Sequence, residues 1–464
     1  MFQRTNTLLL LFFCLAFTGS FAQRGQNVPS DYTGTYQYRN GVLIELIPKD
    51  TLLLAVLDGA QYPMRMVRKD LFINVVGDTI PFQRDASDRV ISLREGKDTF
   101  ARLSPSFKTS LATLFARRDV QGKRVKYVYR APQSANDGLP VSSLKDVGLP
   151  VEPFEKMIQA IINEEYPKMH SVLIWKDGKL ALEEYFFGHD RQSLHQMRSA
   201  SKSFVSALVG IATDKGLFAN EQERVLSLFN YPNYANMDPR KQAWTINDFL
   251  TMRTGLDCND NNPSSIGNEE NMYPKSDWVK FVLDLPLVNQ PGTKGSYCSG
   301  AVAVLGKALE YRSKQSLPEF ARVNLFEPLG IKNFKWNYRL DSTNQTVAQV
   351  YLTPRDMLKF GLLYLNKGQW QGKQVISSAW VEKSLGKYTQ LGSRQYGYFW
   401  WTQRFNVGGQ VVEAWLVTGN GGQKVFVFPA YNLVAVFTGG NYNSVADSPP
   451  NEIVPKYILP AVMK

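Results

Sequence analysis

The sequence predicts a small all-β domain followed by a larger α/β domain, and two observations support this division. Between residues 31 and 103, short β-like runs are separated by turn signals such as Gly77-Asp78 and Glu95-Gly96. This is the pattern of a small antiparallel barrel or sandwich. Over residues 151–464, helical and strand patterns alternate and strands lie near both ends, which favours one α/β (α+β) domain.

Individual elements of the larger domain can be predicted in chain order. Residues 104–150 are rich in turns and are interpreted as a connector. Residues 154–165 have the spacing of an amphipathic helix, and residues 171–175 that of a buried strand. Near the C-terminus, residues 425–428 and 433–437 predict a hairpin.

Length, composition and charge narrow the classes of function that this chain can have. The chain has 464 residues, of which 44% are hydrophobic and 20% charged, which is typical of a globular protein with a large core. Its net charge of +12 would favour acidic surfaces, cell-wall polymers included. The basic residues are scattered and no nucleic-acid-binding motif accompanies them, so we expect no nucleic-acid partner.

The first residues resemble an export signal. Arg4 precedes an unbroken apolar run at residues 8–17, and Ser20-Phe21-Ala22 supplies small residues where a signal peptidase cleaves. The run is too short to cross a bilayer, which takes roughly 20 residues. We therefore expect a signal peptide over residues 1–22 and a periplasmic or secreted protein with no integral membrane segment after cleavage.

The most informative motif is Ser199-x-x-Lys202, at the front of an apolar helix that ends near Gly216. Residues three apart share a helix face, so the lysine amine can reach the serine hydroxyl. A lysine buried among apolar neighbours loses its proton more easily and can then serve as the base that a serine nucleophile needs. The alternative is an ordinary helix start, with Ser199 as its cap and Lys202 solvated.

Two other segments match the same four-residue pattern, Ser142-x-x-Lys145 and Ser384-x-x-Lys387. Neither has a long apolar helix behind it, because the first lies in the connector and the second precedes a glycine and a polar stretch. Ser199 is therefore the predicted nucleophile.

Other catalytic chemistries have less support. The chain has three histidines, His170, His189 and His195, and no Gly-x-Ser-x-Gly elbow, which argues against a Ser-His-Asp triad. The histidines lack zinc-site spacing. No phosphate-binding glycine loop is present. We expect no metal and no organic cofactor.

Two further segments carry groups that would support such a nucleophile. Tyr297 and Ser299 lie just before an apolar helix, and a phenol beside an amine can pass a proton to a leaving group. Gly421, Gly422 and Gln423 precede the C-terminal hairpin, where glycines let a substrate approach the backbone and an N–H can bind an oxyanion.

In this order and spacing, the three segments resemble the superfamily of class C β-lactamases and serine esterases. That superfamily includes penicillin-binding DD-peptidases and 6-aminohexanoate-dimer hydrolases. The resemblance covers roughly residues 150–464 and extends to residues 244–256 and 352–365. It implies a β-lactamase/transpeptidase-like domain with a central antiparallel sheet flanked by helices.

The resemblance also implies roles for individual residues. Ser199 would be acylated, Lys202 would accept its proton and Tyr297 would relay the proton to the leaving group. Ser299 would hydrogen-bond Lys202 or the substrate. The backbone N–H groups of Ser199 and Gln423 would form the oxyanion hole. Trp401 would line the acyl pocket; Tyr398 and Trp400 are further candidates for that pocket or else core residues.

One departure from the family bears on the substrate. Many members have Lys-Thr-Gly or His-x-Gly in the third segment, whereas this chain has Asn420-Gly421-Gly422. Without that cation, a carboxylate-bearing β-lactam or peptide would bind less well, so a neutral ester or amide is the expected substrate. The alternatives are a DD-peptidase or β-lactamase, and a catalytically silent cell-envelope binding protein. The intact set of Ser199, Lys202 and Tyr297 argues against the silent protein.

Cys258 and Cys298 remain once the signal peptide is removed. In an exported protein such a pair forms a disulfide or stays as two buried thiols. The family resemblance places both cysteines near the active site, where a bridge would brace the segment carrying Tyr297. It therefore favours the disulfide.

Overall fold

Two compact units make up the chain, Met1–Thr109 and Ser110–Lys464. No helix in the described part is long and apolar enough to cross a membrane. The predicted signal peptide, residues 1–22, lies outside the described residues. The computed structural model describes residues 30–37, 43–57, 60–75, 77–337, 349–442 and 449–463.

The first unit is a closed antiparallel barrel of eight strands, which decides between the predicted barrel and sandwich. Closure by pairing of the first and last strands leaves no open sheet edge. Its interior is aromatic, since the Phe72 ring lies 4.9 Å from that of Tyr32 and 5.1 Å from that of Phe82. The strands are β1 (Gly34–Gln37), β2 (Leu43–Lys49), β3 (Leu52–Leu57), β4 (Ala60–Arg68), β5 (Leu71–Asn74), β6 (Thr79–Arg84), β7 (Val90–Glu95) and β8 (Asp98–Ser104).

The second unit combines helices with a large antiparallel sheet, as the resemblance implies. Its strands are β9 (Met169–Lys176), β10 (Lys179–Tyr185), β11 (His195–Gln196), β12 (Lys335–Trp336), β13 (Val350–Leu352), β14 (Gln369–Trp370), β15 (Lys373–Gln374), β16 (Thr389–Leu391), β17 (Arg394–Tyr396), β18 (Trp401–Val407), β19 (Gln410–Gly419), β20 (Gln423–Phe428) and β21 (Leu433–Gly439). Its α-helices are α1 (Val151–Ile162), α2 (Ser201–Asp214), α3 (Ile246–Leu250), α4 (Glu269–Met272), α5 (Trp278–Leu283), α6 (Ser299–Ser313), α7 (Leu317–Ala321), α8 (Pro354–Leu365), α9 (Ser378–Ser384), α10 (Pro450–Ile453) and α11 (Leu459–Val462).

The main sheet has the strand order β10-β9-β21-β20-β19-β18-β17-β16. The N-terminal hairpin β9–β10 therefore pairs with the C-terminal strand β21. Side chains alternate across the sheet, so β20 contributes to two cores. Val425 and Val427 face the core that contains α2, whereas Phe426 and Phe428 face the core that contains α1.

Helix α2 is central to the second unit. All its residues from Ser201 to Ala212 are buried. The Phe204 ring stacks on that of Phe360 in α8 at 3.8 Å between centroids. A Cβ on Gly210 would lie 2.4 Å from the Trp380 ring, so the helix can approach this tryptophan only because residue 210 is glycine. Packing on every side fixes the front end of α2 in position.

Residues 110–150, in the stretch interpreted as a connector, belong to the second unit. Ala116 and Tyr127 are buried in the core that contains α1. The Tyr129 hydroxyl donates to the Ala181 carbonyl of β10 at 2.8 Å. This stretch has little regular secondary structure, yet it covers one face of the domain.

Candidate active site

Ser199 lies in a tight turn at the front of α2. The short strand β11 ends two residues before a 3₁₀ turn, Arg198–Ala200, and α2 follows directly. Arg198 has a φ of +51°, a left-handed conformation that costs free energy for a residue with a side chain. The Lys202 amine donates to the Ser199 hydroxyl oxygen at 3.2 Å. The structure thus brings together the two residues of the predicted nucleophile and base.

The other two Ser-x-x-Lys segments have different surroundings. The Ser142 hydroxyl lies at the surface and donates to Asp146 at 3.3 Å. The Ser384 hydroxyl is buried and donates to the Trp380 carbonyl at 2.7 Å, while Lys387 pairs with Glu413 instead. Among these three pairs in the described chain, only Ser199 accepts a hydrogen bond from its own lysine.

Tyr297 lies beside this pair, in the loop that leads into α6. The Lys202 amine is 5.0 Å from the centre of the Tyr297 ring. The Tyr297 ring also contacts those of Trp401 and Tyr396, at 5.5 and 6.3 Å between centroids. Trp401 therefore packs against a site residue, Tyr297.

The other two aromatic candidates for the acyl pocket are core residues. Trp400 is almost fully buried and packs on Tyr364 at 4.3 Å between ring centroids. The Tyr398 hydroxyl donates to Asn247 at 2.9 Å, and the side chain is only 2% exposed. Both fix the β17–β18 connection against neighbouring helices.

The loop after α3 is fastened to the Tyr297 segment. A disulfide joins Cys258 to Cys298, with 5.4 Å between their Cα atoms, as the resemblance implies. Two residues further on, the Asp260 N–H donates to the Tyr297 carbonyl at 2.8 Å. This double attachment brings a second group of polar side chains to the site.

That group contains two carboxylates that the sequence analysis missed. Asp260 accepts from the Ser299 N–H at 2.6 Å. Glu269, the first residue of α4, accepts from the Ser299 hydroxyl at 2.8 Å. Ser299 therefore bonds the acids, whereas the resemblance implied a bond to Lys202 or the substrate. No motif marks Asp260 and Glu269, and only the folded loop reveals them.

The environment of Lys202 differs from the apolar one expected from the sequence. Burial lowers the pKa of its amine, but the fields of Tyr297, Asp260 and Glu269 outweigh burial and leave the pKa raised. Burial in turn raises the pKa of Asp260, partly opposed by Lys202. The neighbouring acidic groups thus favour the ammonium form of Lys202, whereas the sequence analysis expected apolar burial to favour the neutral amine.

The third segment lies against the Ser199 turn, which packs on β19 and β20. A Cβ on Gly419 would lie 2.1 Å from the Met197 carbonyl oxygen, so only glycine permits this approach of backbone to backbone. Gly421 and Gly422 have φ of +92° and +98°. The buried Gln423 side chain donates to the Gly439 carbonyl at 2.6 Å and so fixes the start of β20 to β21.

Lys424 is the charged residue next to the third segment, and its side chain points away from that segment. Lys424 follows Gln423 on β20, and strand alternation puts its side chain on the face of Phe426. Its amine donates to the Thr418 hydroxyl at 3.1 Å. It therefore does not replace the cation that many family members have in this segment.

A small cleft opens at Ser199. Its volume is about 100 Å³, and Arg198, Glu269, Ser299 and Asn420 line it together with Ser199. Tyr297, Trp401 and residues 421–423 are not among the lining residues in the described chain. A larger cavity of about 460 Å³ surrounds Arg355, but it contains none of the predicted site residues.

The histidines take no part in this cleft. None of the three lines it in the described chain. Burial lowers the pKa of His189 to about 4 and that of His195 to about 3, so both rings are neutral at pH 7. The titratable group that hydrogen-bonds the Ser199 hydroxyl is the Lys202 amine.

The second unit is similar to known proteins. The model of the Beta-lactamase family matches residues 165–449. An uncharacterized protein of Alkalihalophilus pseudofirmus is 22% identical over 300 residues, which cover 59% of this chain and 84% of that protein.

Solved structures show the same fold at low identity. A candidate β-lactamase of Bacteroides dorei matches with a TM-score of 0.53 and 15% identity, covering 67% of this chain and 99% of the other. A candidate 6-aminohexanoate-dimer hydrolase of Bacillus anthracis matches with a TM-score of 0.51 and 19% identity, covering 63% of this chain and 79% of the other. A penicillin-binding protein homologue of Pyrococcus abyssi matches with a TM-score of 0.50 and 18% identity, covering 67% of this chain and 76% of the other.

Proposed function

Because the chain belongs to the β-lactamase family, whose members are generally serine hydrolases, we propose that it is an exported serine hydrolase with Ser199 as its nucleophile. It cleaves an ester or amide bond through an acyl-enzyme. The observation that carries this proposal is the hydrogen bond of 3.2 Å between the Lys202 amine and the Ser199 hydroxyl, with the Tyr297 ring beside the same amine.

Each side chain has a defined role in the proposed reaction. The neutral form of Lys202 takes the hydroxyl proton as the Ser199 oxygen bonds to the substrate carbonyl carbon. The proton then passes by way of Tyr297 to the leaving oxygen or nitrogen as its bond to carbon breaks. Water attacks the acyl-enzyme, loses a proton to the same base and releases the acid, which restores the Ser199 hydroxyl.

The backbone N–H groups of Ser199 and Gln423 stabilise the oxyanion in this proposal. Support comes from the packing of the Arg198–Ala200 turn on β19 and β20. The close approach of Gly419 to Met197 sets the distance between the two segments. Gly421 and Gly422, which precede Gln423, have positive φ, a conformation that residues with a side chain rarely adopt.

The third segment, Asn420-Gly421-Gly422, offers no cation for an anionic substrate group, which favours a neutral substrate in this proposal. One charge of each sign lines the cleft, Arg198 and Glu269, and the nearby Lys424 faces away from it. The carboxylate of a β-lactam or of a peptide C-terminus would meet attraction from Arg198 and repulsion from Glu269, without the further cation that many family members have on the third segment. On this ground, ester or amide hydrolysis ranks above β-lactamase and DD-peptidase activity.

Export is supported by the signal-like residues 1–22 and by the Cys258–Cys298 disulfide. Disulfides persist in oxidising compartments such as the periplasm and the cell exterior. We assign the mature protein to one of these.

A substrate panel tests the proposal. Wild type and Ser199→Ala are compared on a neutral p-nitrophenyl ester, a neutral p-nitroanilide, nitrocefin and a peptide ending in D-Ala-D-Ala. We expect kcat/KM for the neutral ester to exceed that for nitrocefin by at least about tenfold, and Ser199→Ala to lose all turnover. A preference for nitrocefin or the peptide would assign the β-lactamase or DD-peptidase alternative. Absence of turnover on all four would favour the silent binding protein.

A further inference from the structure

All three histidines of the chain meet at one place, although they are far apart in sequence. His170 lies in β9, His189 follows β10, and His195 lies in β11. One ring nitrogen from each lies within 4.8 Å of the others. The ring centroids are 4.0, 4.8 and 5.4 Å apart. Because the chain has 3 histidines in total, this convergence involves every imidazole in the protein.

Within the described part of the chain, two of the rings have a buried nitrogen without a hydrogen-bond partner. His195 is 3% exposed, and its Nδ1 lies 3.1 Å from the Ser193 carbonyl, to which it donates when protonated there. Its Nε2 then carries a lone pair, is buried and has no partner in the described chain. His170 is 5% exposed, and its Nδ1 is likewise buried without a partner. Buried polar groups are normally hydrogen-bonded, so these two need an explanation.

The arrangement of His195 is typical of a metal ligand. A ligating histidine usually donates one ring N–H to a backbone carbonyl or a carboxylate, which fixes the tautomer and aims the other nitrogen at the metal. The third ring, His189, is only partly buried and stands in a turn next to the exposed Gly188. It leaves a way in for an ion from solvent.

We propose that His170, His189 and His195 bind one divalent transition-metal ion of the zinc type. Imidazole nitrogens suit Zn²⁺, Co²⁺, Ni²⁺ and Cu²⁺, and three of them leave a fourth position for water. With bonds of about 2.0–2.1 Å, tetrahedral geometry brings ligand nitrogens to about 3.3 Å from each other. The nitrogens must therefore close by at most about 1.5 Å. The partly exposed His189 ring, which now stacks on that of His170 at 26° between ring planes, must also rotate so that its lone pair points at the ion.

The ion would link three segments of the second unit that lie close to the nucleophile in the fold or in sequence. It ties β9 to the turn after β10 and to β11, and Ser199 follows β11 closely. None of the three histidines lines the Ser199 cleft. The role is therefore structural, and it is independent of whether Ser199 is the nucleophile. The spacing of the histidines in sequence did not predict this site, because the fold alone brings them together.

Metal binding by the full-length mature protein, purified without a histidine tag and stripped with chelator, tests the proposal. We expect Co²⁺ to bind at about one ion per chain with visible absorption bands typical of tetrahedral coordination. Zn²⁺ should compete for the site and raise the melting temperature by several degrees. His189→Gln should weaken Zn²⁺ binding at least about tenfold, while Gln192→Ala, an exposed neighbour, should bind as wild type does.

His189→Gln is the decisive variant because its side chain is partly exposed and tolerates substitution better than His170 or His195. No uptake of Co²⁺ or Zn²⁺ by wild type at micromolar metal would overturn the proposal, and so would uptake that His189→Gln leaves unchanged. Serine labelling by a fluorophosphonate is measured on the same stripped sample. Its persistence without metal separates a failure of this site from a failure of the proposed hydrolase function.

Discussion

At the scale of single residues, Lys202 is subject to opposing influences on its pKa. Burial favours the neutral amine, whereas Tyr297, Asp260 and Glu269 favour the ammonium ion and determine the outcome. A lysine of raised pKa acts as a base only in its minor neutral form. The rate of acylation should therefore rise with pH until Lys202 is deprotonated.

Removing one of the carboxylates tests this account. Glu269→Gln keeps a polar group near the Ser299 hydroxyl but removes a negative charge that stabilises the Lys202 ammonium ion. The pKa of Lys202 should fall, so the acidic limb of the pH–rate profile should move to lower pH. The rate of fluorophosphonate labelling, followed as a function of pH, measures that limb without a natural substrate.

Glu270→Gln is the matched control, because Glu270 is the exposed neighbour in the same helix. Its profile should coincide with that of wild type. A limb that stays in place in Glu269→Gln, or moves to higher pH, would contradict the electrostatic account of Lys202.

A site residue could be predicted from the sequence only where a motif marks it, and most easily where the motif is short. Ser199 and Lys202 share one helical turn, so their spacing alone predicts that they are close. Tyr297 could be placed only through the order of three segments along the chain. Asp260 and Glu269 carry no pattern, since the loop that positions them is fixed by a disulfide and by Ser299. The pKa of Lys202 depends on those acids, so its direction of shift could not be predicted from the sequence.

At the scale of elements, the disulfide connects the loop after α3 to the segment that carries Tyr297. The bridge closes a loop of 40 residues. In the Cys258→Ser/Cys298→Ser double variant, the free energy of unfolding should fall by about 2–4 kcal/mol. Labelling of Ser199 should also slow, because Asp260 and Tyr297 lose a shared anchor.

Denaturant unfolding with and without a reducing agent measures the effect. Reduction should destabilise wild type and leave the double variant unchanged. Equal stability of oxidised wild type and the double variant would show that the bridge is not a constraint on this domain.

The elements themselves differ in how well the sequence predicted them. The C-terminal hairpin and α1 have strong alternation or helical periodicity, and they form close to the predicted positions as β20–β21 and Val151–Ile162. Residues 110–150 lack such periodicity, so their packing against the α1 core depends on tertiary contacts such as Tyr129 with Ala181. The convergence of the histidines likewise requires the sheet.

At the scale of the whole molecule, the chain has two units with separate cores. The barrel encloses its own aromatic cluster, and every residue of the candidate site lies in the second unit. Separate cores are a condition for separate folding. We therefore expect residues 110–464 expressed alone to fold and to label at Ser199 at the wild-type rate.

Far-ultraviolet circular dichroism and the labelling rate of the isolated second unit check this expectation. A folded second unit that has lost its labelling would mean that the barrel contributes to the active site.

Every step of the proposed reaction depends on Ser199 being the activated nucleophile. The most direct measurement is intact-mass analysis of mature wild type, Ser199→Ala and Ser142→Ala after exposure to a fluorophosphonate. We expect one adduct on wild type and on Ser142→Ala, and none on Ser199→Ala. An unlabelled wild type, or an adduct that persists in Ser199→Ala, would contradict it.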